Sequence, residues 1–126
     1  MEYKIRMHES GKFFITEVSG EITAENAPEY IIASRKFSEK NNIDFNLLDA
    51  RNATNNSSVL QNYNFGYKDD VVKSSSKTGK IAVLVNENDD SHDFVLTVLK
   101  NAGFDIEIFT SFDKASDWLM DAAGDL

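Results

Sequence analysis

Two adjacent hydroxyls, Ser57 and Ser58, are the side chains best placed to carry chemistry or regulation. They follow an apolar stretch, Phe45-Asn46-Leu47-Leu48-Asp49, and a polar run, and they stand where a long helix is predicted to begin. The first turn of a helix leaves backbone N–H groups unpaired and carries a partial positive charge. A serine there has two uses. Ser57, or Asn56 beside it, can cap the helix by accepting one of those N–H groups. A hydroxyl in the same place can instead accept a phosphoryl group, whose charge the dipole and the open amides favour. Phosphorylation would add roughly two negative charges to a partner-facing surface and could expel the partner.

Other chemistry has less to stand on. Asp89, Asp90, His92 and Asp93 hold the right atoms for a divalent ion. Their spacing fits no metal motif, and acids at a helix start are favoured by the dipole alone. A Ser-His-Asp triad would need His8 or His92 beside Ser57 or Ser58, and no Gly-x-Ser-x-Gly elbow is present. Gly-x-Gly-x-x-Gly and Walker A patterns are missing, so no nucleotide cofactor is indicated. The chain has no cysteine, which excludes disulfides, thiolate metal sites and Cys nucleophiles. The expectation is a protein that is not an enzyme and carries no cofactor or metal.

Tyr63, Phe65 and Tyr67 alternate, so one face of a helix cannot bury all three. Either the segment packs irregularly near Gly66, or it shows an apolar patch to a protein partner, a second copy of the chain or an apolar ligand. Asn56, Tyr63, Phe65 and Tyr67 are the candidate partner surface.

The elements that would position these residues read in order. Tyr3 to His8 and Phe13 to Glu21 alternate as strands around a Gly-containing turn, which predicts a hairpin. On the second strand Phe14, Thr16 and Val18 share one face, and Phe13 and Ile15 the other. Thr23 to about Asn41 reads as a helix whose Pro28 must lie in the first turn, which puts its start at Asn26 or slightly earlier. Asp44 to Ala50 is the third strand, and Arg51 to Asn56 a polar loop. Ser57 to about Ser75 is predicted as the second helix. Lys80 to Val85, nearly all apolar, suits a central strand covered on both faces. Asp89 to Ala102 carries Phe94, Val95, Val98 and Leu99 on one stripe, with Gly103 as its C-terminal cap. Asp105 to Phe109 is a short strand, and a last helix carries Ala115, Trp118, Leu119 and Ala122. The order β-β-α-β-α-β-α-β-α predicts an α/β fold: a mixed sheet with an N-terminal hairpin and helices packed on it.

A chain of 126 residues fits one domain, residues 1–126. Its formal net charge of −8 disfavours nucleic acid, because binding starts with Lys and Arg neutralising phosphates. It disfavours anionic membrane surfaces for the same reason. No apolar run approaches the roughly 20 residues of a membrane span, and no signal-peptide h-region opens the chain, so a cytoplasmic protein is expected. The matches Asn52-Ala53-Thr54 and Asn55-Asn56-Ser57 then have no meaning as glycosylation sites.

The element order, with Asn56-Ser57-Ser58-Val59 after the strand Asn46-Leu47-Leu48-Asp49, resembles the STAS family. These are the anti-sigma-factor antagonist domains typified by stage II sporulation protein AA. Gly79-Lys80-Ile81-Ala82-Val83-Leu84-Val85 also looks like the family, and so does the ending Ile108-Phe109 … Asp113-Lys114-Ala115-Ser116-Asp117-Trp118-Leu119. That ending is similar to a small stand-alone bacterial branch related to Sec14-type lipid-binding folds. The family motif reads Asp-Ser-Ser/Thr-Gly; Asn56 replaces its Asp and Val59 its Gly, in the neighbourhood the family uses for kinase recognition. The resemblance implies a non-catalytic regulatory module that binds a protein partner, with Ser57 in the phospho-acceptor position. The alternative it implies is a carrier with a Sec14-like pocket for a lipid or other small apolar ligand.

Overall fold

The structure is a computed structural model and describes residues 1–57, 61 and 79–124. Strands β1 (Glu2–Met7) and β2 (Phe14–Ile22) form the predicted hairpin, in register from Met7↔Phe14 to Glu2↔Ser19. Its connection closes on His8: the Gly11 N–H donates to the His8 carbonyl at 2.9 Å, with Gly11 at φ +71°. Helix α1 (Ala27–Asn41) starts from the Asn26 cap, where the Pro28 argument puts it, and not from Thr23. Residues 23–26 form instead a reciprocal turn, in which Asn26 Oδ1 accepts the Thr23 N–H at 2.8 Å and Thr23 Oγ1 accepts the Asn26 N–H at 3.2 Å. Pro28 then falls in the first turn, where its missing N–H costs nothing.

Strand β3 (Phe45–Asn55) is followed in the described chain by β4 (Lys80–Leu84), α2 (Asp93–Asn101), β5 (Asp105–Phe109) and α3 (Phe112–Gly124). The second helix expected from Ser57 to Ser75 lies outside the described residues, apart from Ser57 and Gln61. The sheet order is β1-β2-β3-β4-β5, with β1 antiparallel to β2 and the other pairs parallel. This is the mixed α/β sheet the element order predicts.

Alternation along the strands sorts the core into two layers. Val18, Ile22, Ala50, Val83 and Ile106 face α1 and α2, where Tyr30, Ile31, Val95, Leu96 and Leu99 pack against them. Phe13, Ile15, Leu47, Ala82 and Leu84 face α3, where Ala115 and Leu119 are fully buried. The opposed faces read from Phe13 to Val18 are therefore both used, and β4 is covered on both sides.

Two boundaries depart from the sequence reading. Arg51 to Asn55 is strand rather than loop: β3 continues beside Ser19 to Ile22 of β2. The register passes from Glu17↔Asp49 to Ser19↔Asn52, so β3 carries one extra residue there, a bulge that breaks its alternation. Helix α2 begins at Asp93 rather than Asp89. Residues 89–92 form turns, in which Asp89 Oδ1 accepts the Ser91 N–H at 2.9 Å.

Candidate functional site

The C-terminal end of β3 delivers Ser57. The Asn56 N–H donates to the Ile22 carbonyl at 2.8 Å, extending the β2–β3 ladder past the strand, and the Asn56 side chain is left exposed. One residue on, Ser57 Oγ accepts the Ala24 N–H at 3.1 Å. The hydroxyl thus ties the end of β3 to the turn that opens α1. Its role as cap of a following helix concerns residues outside the described set. So do Ser58, Tyr63, Phe65 and Tyr67 of the sequence reading.

β4 ends at Leu84, opposite Asp49, so among the described residues no strand pairs with the last part of β3 on that side. Side chains of the β4–α2 connection take its place. Asn86 Nδ2 donates to the Arg51 carbonyl at 2.7 Å, His92 Nε2 lies 3.3 Å from the Ala53 carbonyl, and Ser91 Oγ accepts the Asn55 N–H at 3.1 Å. Three side chains from one short segment therefore clasp three successive odd-numbered positions of the strand that carries Ser57. His92 is buried, and Ala53 beneath it is 3% exposed. Asp89 Oδ2 lies 3.6 Å from His92 Nε2. The hydrogen bond from Ser91 is the main influence holding the Asp89 carboxyl below the usual range; partial burial opposes it, and the Ser91 N–H and His92 assist.

The sequence reading assigned Asp89, Asp90 and Asp93 to helix-start electrostatics. In the structure only Asp93 stands in the first turn of α2, and Asp89 serves the clasp. Among the described residues no group of three or more His, Cys, Asp or Glu is placed to hold a metal ion. His8 lies by the other face of the sheet, stacked on Phe13 at 4.2 Å between ring centres and near Phe112 of α3.

Beside the clasp a cavity of about 550 Å³ opens between α1, α2 and the sheet. Its walls are largely apolar, with Leu48, Ile81 and Val83 from the strands and Ile31, Leu96 and Leu99 from the helices. Ser57, His92, Ser34, Asn46 and Gly79 line it as well. Tyr30 lines it too, and burial pushes its phenol up to about 12. In the sequence a pocket enters only as the alternative that the resemblance implies, and its lining cannot be read there: the wall residues carry the same apolar periodicity as a filled core, so no pattern separates the two.

On the opposite sheet face, beyond α3, Asp49 bonds Arg51 at 2.8 Å and Arg6 bonds Glu17 at 3.2 Å. Burial alone would push the Asp49 carboxyl up. The Arg51 hydrogen bonds, with the charges of Arg51 and Arg6, reverse this and hold it below the usual range.

No protein-family model matches the sequence, and no curated protein sequence does. Solved structures do match. An anti-sigma factor antagonist from Mycobacterium paratuberculosis superposes with a TM-score of 0.63 at 16% identity, covering 95% of this chain and 94% of its own. The anti-sigma factor antagonist SpoIIAA, in its unphosphorylated form, gives 0.56 at 11% identity, covering 94% and 98%. The fold is that of the anti-sigma factor antagonists. The match spans nearly the whole of each chain, so the hairpin, the parallel strands and the helices on both faces belong to one shared antagonist architecture. At this level of identity the likeness establishes the fold alone, and residue roles rest on the geometry above.

Proposed function

We propose that the protein is a non-catalytic regulatory module that binds a protein partner, as anti-sigma factor antagonists do, and that Ser57 is its control point. The observation that carries this reading is the bond from the Ala24 N–H to Ser57 Oγ. A phosphoryl group on that oxygen would sit beside a backbone donor at the opening of α1, where negative charge is favoured. It would also change the charge of the surface on which the β2–α1 turn and the end of β3 meet. One structural neighbour is described as being in its unphosphorylated form, so for that protein phosphorylation defines a state. The contact surface proposed comprises Asn56 with Tyr63, Phe65 and Tyr67, and it would serve a protein partner or a second copy of the chain. A cytoplasmic setting belongs to the same proposal. Among the described residues no helix is long and apolar enough to cross a membrane.

The test is affinity capture from the native host with wild-type protein beside Ser57→Asp, joined to phosphopeptide mapping after incubation with host lysate and ATP. A partner held by the wild type and lost from the Asp variant, with phosphate on Ser57 or Ser58, is expected. Equal capture by both proteins, or no phosphate on either serine, refutes the control point.

A second reading, a carrier for a small apolar ligand, is favoured by the cavity. Its volume lies inside the range of roughly 300–1,000 Å³ typical of small-molecule sites, and its walls are apolar with few polar groups. Native mass spectrometry of freshly purified protein tests it: a retained adduct supports a carrier, and bare protein after exposure to host lipid extract counts against one.

A further inference from the structure

We propose that the cavity selects a small neutral molecule with an apolar body and a hydrogen-bond-accepting oxygen, read by Asn46 Nδ2. This rests on the carrier reading and adds the chemistry of the ligand. Thr16 is fully buried. Its hydroxyl has one proton, donated to Asn46 Oδ1 at 3.0 Å. The contact of Thr16 Oγ1 with Ser34 Oγ, also 3.0 Å, must then be donated by Ser34. The Ser34 proton and the Asn46 carbonyl oxygen are thereby both engaged behind the cavity wall. The Asn46 amide nitrogen, with two N–H donors, has no hydrogen-bond partner among the described residues. Ser34 and Asn46 both line the cavity. A donor left without a partner at the cavity wall gains from any acceptor brought to it and loses from a purely apolar occupant.

Charge decides between a neutral and an ionised acceptor. The nearby lining holds Arg35 and Lys80 but also Glu39, Asp44 and Asp105, and Lys80 is paired with Asp105 at 2.5 Å. Among the described lining residues carboxylates outnumber cations, so no net positive charge there compensates an anionic head for leaving water. A ketone, ester or ether oxygen meets the donor without that cost.

The experiment uses ¹⁵N-labelled full-length protein with two probes, 2-octanone and octane. With 2-octanone the side-chain amide of Asn46 should move as a newly hydrogen-bonded donor does; with octane it should stay. Asn46→Ala should weaken 2-octanone binding about fivefold and leave octane binding unchanged. If that variant fails to fold, the wild-type amide shift still decides. Binding of both probes without the amide shift overturns the assignment to Asn46 while the carrier reading stands. Binding of neither overturns both.

Discussion

The clasp on β3 makes a graded prediction. The perturbations are three single substitutions, His92→Leu, Ser91→Ala and Asn86→Ala, each deleting one side-chain partner of the β3 backbone. Their costs should differ because water can replace some partners and not others. The Ala53 carbonyl lies where the chain is 3% exposed, so His92→Leu leaves an acceptor that nothing else reaches, at about 1–3 kcal/mol. Leu keeps most of the ring's packing, so little of that loss is volume. The Asn55 N–H is half-buried, and Ser91→Ala should cost about 1 kcal/mol. The Arg51 carbonyl is at an exposed residue, so water takes the place of Asn86 and the loss should stay near 0.5 kcal/mol. The assay is urea unfolding followed by circular dichroism, with unchanged m-values as the condition for comparing midpoints. Amide hydrogen exchange adds a local readout: Asn55 to Ser57 should exchange faster in the His92 and Ser91 variants. Equal costs for all three, or a larger cost for Asn86→Ala than for His92→Leu, would refute the view that the clasp acts by satisfying buried backbone groups.

Two further predictions follow from the same structure. Asp49→Asn should flatten the acid limb of the stability curve: a carboxyl held below its unfolded value of about 3.9 stabilises the fold above that pH, and loses this as pH falls through the lower folded value. Stability measured from pH 6 to pH 2 should therefore separate the two proteins near neutrality and bring them together in acid; a constant gap would contradict the assignment. Gly79→Ala should destabilise by about 1–3 kcal/mol, because its Cβ would fall on the Asp44 carbonyl oxygen and carboxylate, where the Lys80 N–H already bonds; an unchanged thermal midpoint would show that the strand start can yield.

How much of this was legible in the sequence depends on which force set each feature. The hairpin, β4, β5 and the apolar faces of α2 and α3 are set by hydrophobic periodicity, which a sequence displays directly. The end of β3 is not. Arg51-Asn52-Ala53-Thr54-Asn55 lacks strand propensity, and the bulge after Asp49 breaks its alternation, so local pattern favours a loop. Pairing with Ser19 to Ile22 and three side chains from residues 86–92 override that preference. None of those partners is near in sequence. The one local hint was Ala53, a small apolar residue alone in a polar run, and it is the residue the clasp buries.

The start of α2 was misplaced for a related reason. Asp89, Asp90 and Asp93 look like acids gathered at a helix N-terminus, and the dipole argument accepts all three equally. The structure separates them by asking what the β3 backbone needs. Ser91 and His92 can reach Asn55 and Ala53 only from a non-helical turn, and Asp89 holds that turn through Ser91. The strand carrying Ser57 is thus held by the loop after the next strand, and both lie at the carboxyl ends of parallel strands, where α/β folds place their sites. Ser57 in turn binds the Ala24 N–H from the far side. A charge placed on Ser57 would act on a backbone already fixed on both flanks. Its effect should therefore appear at the surface rather than in the sheet.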